Sequence, residues 1–297
     1  MNDHALRKYL IWAFALAWPI QLLASWFALR GKTAIFQLVM VVCMFTPFLA
    51  VLLAKIPLRD MGWKPALRGK WKWVLAAWLV PAVLTLLGAA LYSLCFPDRM
   101  DFSGQAFLAQ LEASGGQEAL QQFEAQGLPA SFFILVQLAA ALLYAPVLNT
   151  FISLGEEVGW RGAMLPRLKA RFGRAKGWLL GGLIWGVWHW PVMILAGYEY
   201  GLHYWGAPVL GPLVFCLFTT ALGTLLDLLY EKSRCIWVPS LGHGAINAIA
   251  TFPLLFLDQA YADRMILGPA IVGLIGGIPL FLLAAVALVK AAKPAEG

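Results

Sequence analysis

An all-α, polytopic membrane protein is what this sequence predicts, and three observations predict it. Hydrophobic residues make up 61% of the 297-residue chain and charged residues only 12%, with a mean hydropathy of +0.76. A soluble domain is nearer half apolar and a quarter charged. The apolar residues gather into runs long enough for bilayer-spanning helices, each of which needs about 20 residues. Basic residues fall in alternate connections, as the positive-inside rule requires. Residues 1–297 are therefore read as a single transmembrane domain of about eight helices.

The expected spans run from about Tyr9 to Leu29, Ala34 to Ala54, Trp73 to Phe96 and Ser131 to Met164. The later four cover about Gly177 to Ala196, Ala207 to Tyr230, Ile236 to Leu257 and Ile266 to Val289. Pro19, Pro47, Pro81 and Pro146 predict kinks, which neighbouring helices can accommodate. With the N-terminus inside, eighteen of the 22 Lys and Arg lie in inner segments. Arg30, Lys32, Arg99 and Arg264 are the outer ones. Both termini are accordingly expected in the cytoplasm.

Two connections have content of their own. Residues 56–67 mix basic and apolar side chains, with Trp63, Trp71 and Trp73 nearby, and read as an interfacial segment on the inner surface. Residues 97–130 are polar and acidic, and Gln105 to Gln126 is weakly amphipathic, which predicts a short outer helix. The net charge of +7 follows from topology and gives no reason to expect nucleic acid. Cys43, Cys95, Cys216 and Cys235 lack the spacing of a disulfide framework or zinc cluster. The first apolar run is long enough to span and has no small-residue cleavage site, so no cleavable signal peptide is expected.

Against that apolar background a few ionisable residues stand out. Gly155-Glu-Glu-Val-Gly-Trp-Arg161 places two carboxylates and an arginine within a membrane helix. Such groups are costly there and turn toward a partner or a water-filled cavity. Glu156 and Glu157 are about 100° apart around a helix, so they take different parts. Arg161 is four residues after Glu157, the spacing of an ion pair. Glu156 is left to find another partner. Trp185 and His189 share one helix face, as do His243 and Asn247.

Depth brings these residues together. Taking Arg167, Lys176 and Arg234 as inner-surface markers, Glu156 lies about 16 Å deep, His189 about 19 Å and His243 about 14 Å, at a rise of about 1.5 Å per residue. A carboxylate beside two imidazoles in a dry layer suits hydrolysis. Glu156 could take a proton from water that His189 holds, and His243 with Asn247 could donate to the oxyanion of an attacked peptide carbonyl. Alternatively, Glu156, His189 and His243 could ligate zinc, which lowers the pKa of its bound water to about 7. No HExxH occurs, so spacing does not force a metal.

The order Glu-Glu-x-x-x-Arg, aromatic-x-x-x-His, His-x-x-x-Asn, each on its own membrane helix, resembles the CPBP family of intramembrane proteases. That family includes type II CAAX prenyl endopeptidases and bacteriocin-processing or self-immunity proteins. The resemblance covers about Ala140 to Ala250, with Trp185 where Phe is commoner, and sets the core at about 131–257. It implies an eight-helix fold in which Glu156, His189, His243 and Asn247 are catalytic and Glu157 and Arg161 support them, with Trp185 at the aromatic position. It leaves zinc and a glutamate-activated water both open.

The expected activity is peptide hydrolysis by a multi-pass protein of a bacterial cell membrane. Its substrate would be a peptide or protein associated with the lipid bilayer, lipidated and CAAX-like or unmodified. Cleavage is expected near the cytoplasmic side, from a cavity open to that side. The alternatives are a non-catalytic immunity or scaffold protein and a proton-relay transporter. The transporter is disfavoured because the two halves show no paired, Gly/Pro-interrupted segments. Asp227 is expected to cap or to pair at the interface, His203 to be structural, and Asn149 and Gln137 to form hydrogen bonds between helices.

Overall fold

The computed structural model describes residues 3–64, 68–113, 121, 125 and 127–292, and among them the chain is helical, with no strand. In chain order the helices are α1 (Asp3–Ala28), α2 (Thr33–Cys43), α3 (Thr46–Leu53), α4 (Trp71–Cys95), α5 (Gln105–Ala113), α6 (Ala130–Leu143) and α7 (Ala145–Glu157). A π-helical turn, Val158–Met164, leads into α8 (Leu165–Phe172). Then come α9 (Arg174–Trp188), α10 (Trp190–Ala196), α11 (Leu210–Ser233), α12 (Trp237–Ile249) and α13 (Ile278–Ala292). Among the described residues four stretches are long and apolar enough to cross a membrane, His4–Ala28, Thr33–Leu53, Trp71–Cys95 and Leu210–Ser233. Counting each bent pair as one span gives six.

The breaks have local causes. The fourth expected span bends by 49° between α6 and α7, where Pro146 removes a backbone donor. The fifth bends by 41° between α9 and α10, next to Pro191. The seventh is helical only to Ile249 before a 3₁₀ segment, Phe252–Phe256. Only the second half of the eighth is helical. Residues 266–277 hold Pro269 and glycines 268, 273, 276 and 277, poor residues for a helix, and they fold as turns against Tyr92 and Gly88. Residues 56–64 likewise form turns on the surface, while 65–67 lie outside the described residues. Of the expected Gln105–Gln126 helix, Gln105–Ala113 is helical and most of the remainder lies outside them.

Apolar side chains on α1, α2, α4 and α6 point outward, among them Ile11, Leu22, Leu38, Leu79, Val83 and Leu135. A protein in water rarely exposes so much apolar surface, whereas lipid tails match it. This is an integral membrane protein. α11 is mostly buried and forms the centre with α12. Small residues permit close contact there. A Cβ on Gly182 of α9 would lie 2.2 Å from the Thr220 backbone of α11, and Thr219 Oγ1 donates to the Gly182 carbonyl at 2.9 Å. A Cβ on Gly244 of α12 would lie 2.7 Å from the Thr150 nitrogen of α7.

The basic segments meet on one face. Arg167, Lys169, Arg174, Lys232 and Arg234 border a cavity of about 830 Å³ together with residues from 56–62. Lys169 pairs with Asp227 and Glu231, and Arg174 pairs with Glu231. Trp178 Nε1 donates to Asp227 at 2.6 Å, so Asp227 is the buried acceptor of an ionic network. The opposite face is formed by the start of α2, the 97–113 region, the 197–209 connection and residues 251–277. There Asp258 N–H bonds to the Arg99 carbonyl, Gln110 to the Leu254 carbonyl and Tyr200 to the Val272 carbonyl.

Candidate active site

At the end of α7 the regular ladder gives way to the π-turn, and the Leu165 N–H bonds five residues back to the Trp160 carbonyl. Such turns are frequent at functional sites. This one follows directly on the two adjacent carboxylates, whose side chains separate as their angular offset predicts. Glu157 Oε1 accepts from Arg161 Nη1 at 2.9 Å and meets His243 Nδ1 at 2.7 Å. Glu156 Oε2 accepts from two indoles, Trp160 Nε1 at 2.9 Å and Trp185 Nε1 at 2.7 Å. Glu156, Glu157, Arg161 and His243 are all buried.

The two imidazoles are held alike. His189 Nδ1 lies 2.9 Å from the Trp185 carbonyl, which can only accept, so this partner assigns the proton to Nδ1. Against the Arg161-paired carboxylate of Glu157, His243 Nδ1 is likewise the donor. Each ring is thereby fixed by its Nδ1 and leaves Nε2 as an acceptor. His189 also packs edge-on against Trp188 at 4.6 Å and Phe215 at 4.9 Å. Trp185 joins the parts: Arg161 lies over its ring at 4.4 Å, its N–H holds Glu156, and its ring centre is 5.2 Å from that of His243.

Trp185→Phe keeps a ring for Arg161 but removes one of the two donors to Glu156. Hydrogen bonds to charged groups contribute about 1.5–3 kcal/mol, so turnover is expected to fall about tenfold. A peptide-cleavage assay beside a thermal melt checks this, and an unchanged rate would remove Trp185 from any role in holding Glu156.

His189 sits at the junction of α9 and α10, where a residue from α1 completes the backbone. An unbroken helix would join the Val192 N–H to the Trp188 carbonyl. Here the Gln21 carboxamide stands between them. Its Nε2 donates to the Trp188 carbonyl at 2.8 Å and its Oε1 accepts from Val192 N at 3.3 Å. The opened turn thus keeps its hydrogen bonding in a buried site, and the imidazole is set on the bend.

Glu156, Trp185, His189, His243 and Asn247 line one cavity of about 260 Å³. Glu157 and Arg161 stand behind it and do not line it. Gln37, Asn149, Tyr198, Glu199 and Thr251 line it as well. Among these, Gln37, Asn247 and Thr251 are exposed and Glu199 is half-buried. Gln37, Glu199 and Thr251 stand near the helix ends remote from the basic segments. Asn149 also has the expected helix-to-helix bond, from Nδ2 to the Gly244 carbonyl at 3.3 Å, whereas Gln137 is exposed.

Sequence reasoning passed over four contributors: Trp160, Gln21, Tyr198 and Glu199. Glu199 has a left-handed backbone at φ 72°, unusual for a residue with a side chain. Burial pushes its carboxyl up to about 7, and no Lys or Arg among the described residues pairs with it. Its signal was an acid between two tyrosines in an otherwise uncharged connection. His203, in the same connection, is exposed and does not line the cavity.

The zinc alternative does not fit this arrangement. Among the described residues no three His, Cys, Asp or Glu converge as a metal-ligand group, Glu156, His189 and His243 included. Two indole donors also occupy one oxygen of Glu156.

Residues 129–249 match the family model described as Type II CAAX prenyl endopeptidase Rce1-like. The match takes in α7, the π-turn, α9 and α12, the elements that carry every candidate residue. No curated protein matches the chain.

Proposed function

We propose, from the match of residues 129–249 to the type II CAAX prenyl endopeptidase Rce1-like family, a protease family, that the protein is an intramembrane endopeptidase in which Glu156 acts as the general base. The observation that carries this reading is the shared cavity of Glu156, His189, His243 and Asn247, with both histidines anchored through Nδ1. Glu156 takes a proton from a water held by the Nε2 of His189. The hydroxide adds to the substrate carbonyl, and Asn247 donates to the oxyanion that forms. Collapse of the adduct breaks the C–N bond, and Glu156 returns its proton to the leaving amine. Glu157 and Arg161 keep the His243 ring in place.

The substrate is a peptide or protein segment at the membrane, and the setting is a bacterial cell membrane. A general base contributes about 10²- to 10⁴-fold, a range that a cleavage assay resolves. The experiment is purified protein in lipid nanodiscs against a fluorogenic peptide library, with and without a chelator, and with metal content measured. Cleavage that withstands the chelator and needs no stoichiometric metal supports the reading. Cleavage that requires zinc would overturn the glutamate mechanism. A cellular phenotype without any turnover would favour an immunity or scaffold protein.

A further inference from the structure

We propose that the basic cavity is a binding site for a phosphate-bearing anion, carried by an acidic phospholipid or free in solution. The proposal goes beyond the peptidase reading and does not depend on it. It rests on the charge of the lining, on how the walls are built and on where the cavity stands in the fold.

The cavity of about 830 Å³ has the size of a small-molecule site, which spans about 300–1,000 Å³. Five cations line it, Arg167, Lys169, Arg174, Lys232 and Arg234, against two carboxylates, Asp60 and Glu231. Both carboxylates are already engaged. Glu231 pairs with Lys169 and Arg174, and Asp60 pairs with its exposed neighbour Arg59. Arg167, Lys232 and Arg234 have no carboxylate partner among the described residues. Arg167 is half-buried, and its Nη1 donates to the Ala163 carbonyl at 2.7 Å. A guanidinium has five N–H donors, and a phosphate can accept two of them side by side.

The walls are fixed by the backbone. Gly62, at φ 74°, lies so close to Arg234 that a Cβ there would stand 2.2 Å from the Arg234 carbonyl oxygen. Ile236 N–H donates to the Gly62 carbonyl at 3.2 Å, and the Tyr230 hydroxyl donates to the Met61 carbonyl at 3.2 Å. The Met61 sulfur rests against Gly162 of the π-turn, where a Cβ would lie 2.6 Å from it. Residues 56–62 are thus tied both to the end of α11 and to the π-turn, and the cations stand around a preset hollow.

That hollow lies where candidate spans end. Residues 56–62 follow Thr33–Leu53, and residues 230–234 close Leu210–Ser233. Trp63 and the exposed Trp71 are of the type that gathers at the membrane–water interface, the level of lipid phosphates. Basic pockets between membrane helices take anionic headgroups.

The test uses the purified full-length protein in a neutral detergent. Calorimetric titrations are run with short-chain phosphatidylglycerol, with phosphatidylcholine of the same chain length and with inorganic phosphate. The parent is expected to bind one of the two anions at least about tenfold more tightly than phosphatidylcholine. Arg167→Ala and Lys232→Ala should each weaken that binding about fivefold, while Lys176→Ala, which removes an exposed cation outside the cavity, leaves it unchanged. Whichever anion shows this dependence is the source of the phosphate. Lys232 is exposed, so its variant reports on binding even where Arg167→Ala disturbs the fold. Binding of neither anion above phosphatidylcholine overturns the proposal. So does an equal loss in Lys176→Ala, since the attraction would then belong to the whole basic face and not to the cavity.

Discussion

Glu156→Gln is expected to lower turnover by about a thousandfold while the protein stays folded, because general-base catalysis is worth about 10²–10⁴ and an amide cannot accept the proton from water. The amide oxygen can still accept from Trp160 and Trp185, so the local packing has little reason to change. Peptide cleavage in nanodiscs measures the first part, and a thermal melt the second. A loss smaller than about tenfold would mean that another group activates the water. Parallel loss of folding would mean that Glu156 is chiefly a packing residue.

Arg161→Ala should act in the opposite manner, through the fold first. It leaves the Glu157 carboxylate buried with only His243 as partner and empties the face of Trp185. Breaking one side of a buried ion pair costs about 3–5 kcal/mol, a large share of the total stability of a typical protein. The melting temperature should fall clearly, and activity should fall with it because His243 loses its fixed acceptor geometry. Arg161→Lys should recover little, since an ammonium neither forks onto a carboxylate nor lies flat on an indole. A variant Arg161→Ala that melts like the parent would show that the pair has no role in holding the site.

These contrasting expectations for neighbouring residues were largely visible in the sequence. The angular separation of Glu156 and Glu157, and the spacing of Glu157 to Arg161, are properties of one helix, and the structure keeps them. The depth agreement of His189 and His243 with Glu156 matches their place in one cavity, because α7 runs toward the basic surface from which α9 and α12 start. What spacing on one helix does not encode is which partner a side chain chooses across helices. His243, expected beside Asn247 as an oxyanion donor, has its Nδ1 against Glu157, a partner that the spacing on its own helix does not reveal. Trp185 reads in the sequence as the aromatic that shares a helix face with His189, and only the three-dimensional arrangement gives its N–H to Glu156. The long spans were legible as apolar runs and Pro146 marked the break at Tyr144, but the bend at His189 is completed by Gln21 of another helix. The Gly- and Pro-rich run 266–277 shows the limit of hydropathy, which measures preference for lipid and not the ability to form a helix.

The Gln21 bridge at the α9–α10 bend has a consequence for how this chain can be divided. The side chain lies more than a hundred residues before the segment it completes, and outside residues 129–249. Cys43 and Thr46 hold their own bonds beside it, and Tyr9 packs edge-on against Trp160. The recognisable catalytic segment is thus inherited as a sequence unit but is not a physical one. Expressed as a fragment, it would carry all four candidate residues and still leave the bend at His189 with two backbone groups open. Coexpression of residues 1–64 as a separate piece would be the way to return them a partner.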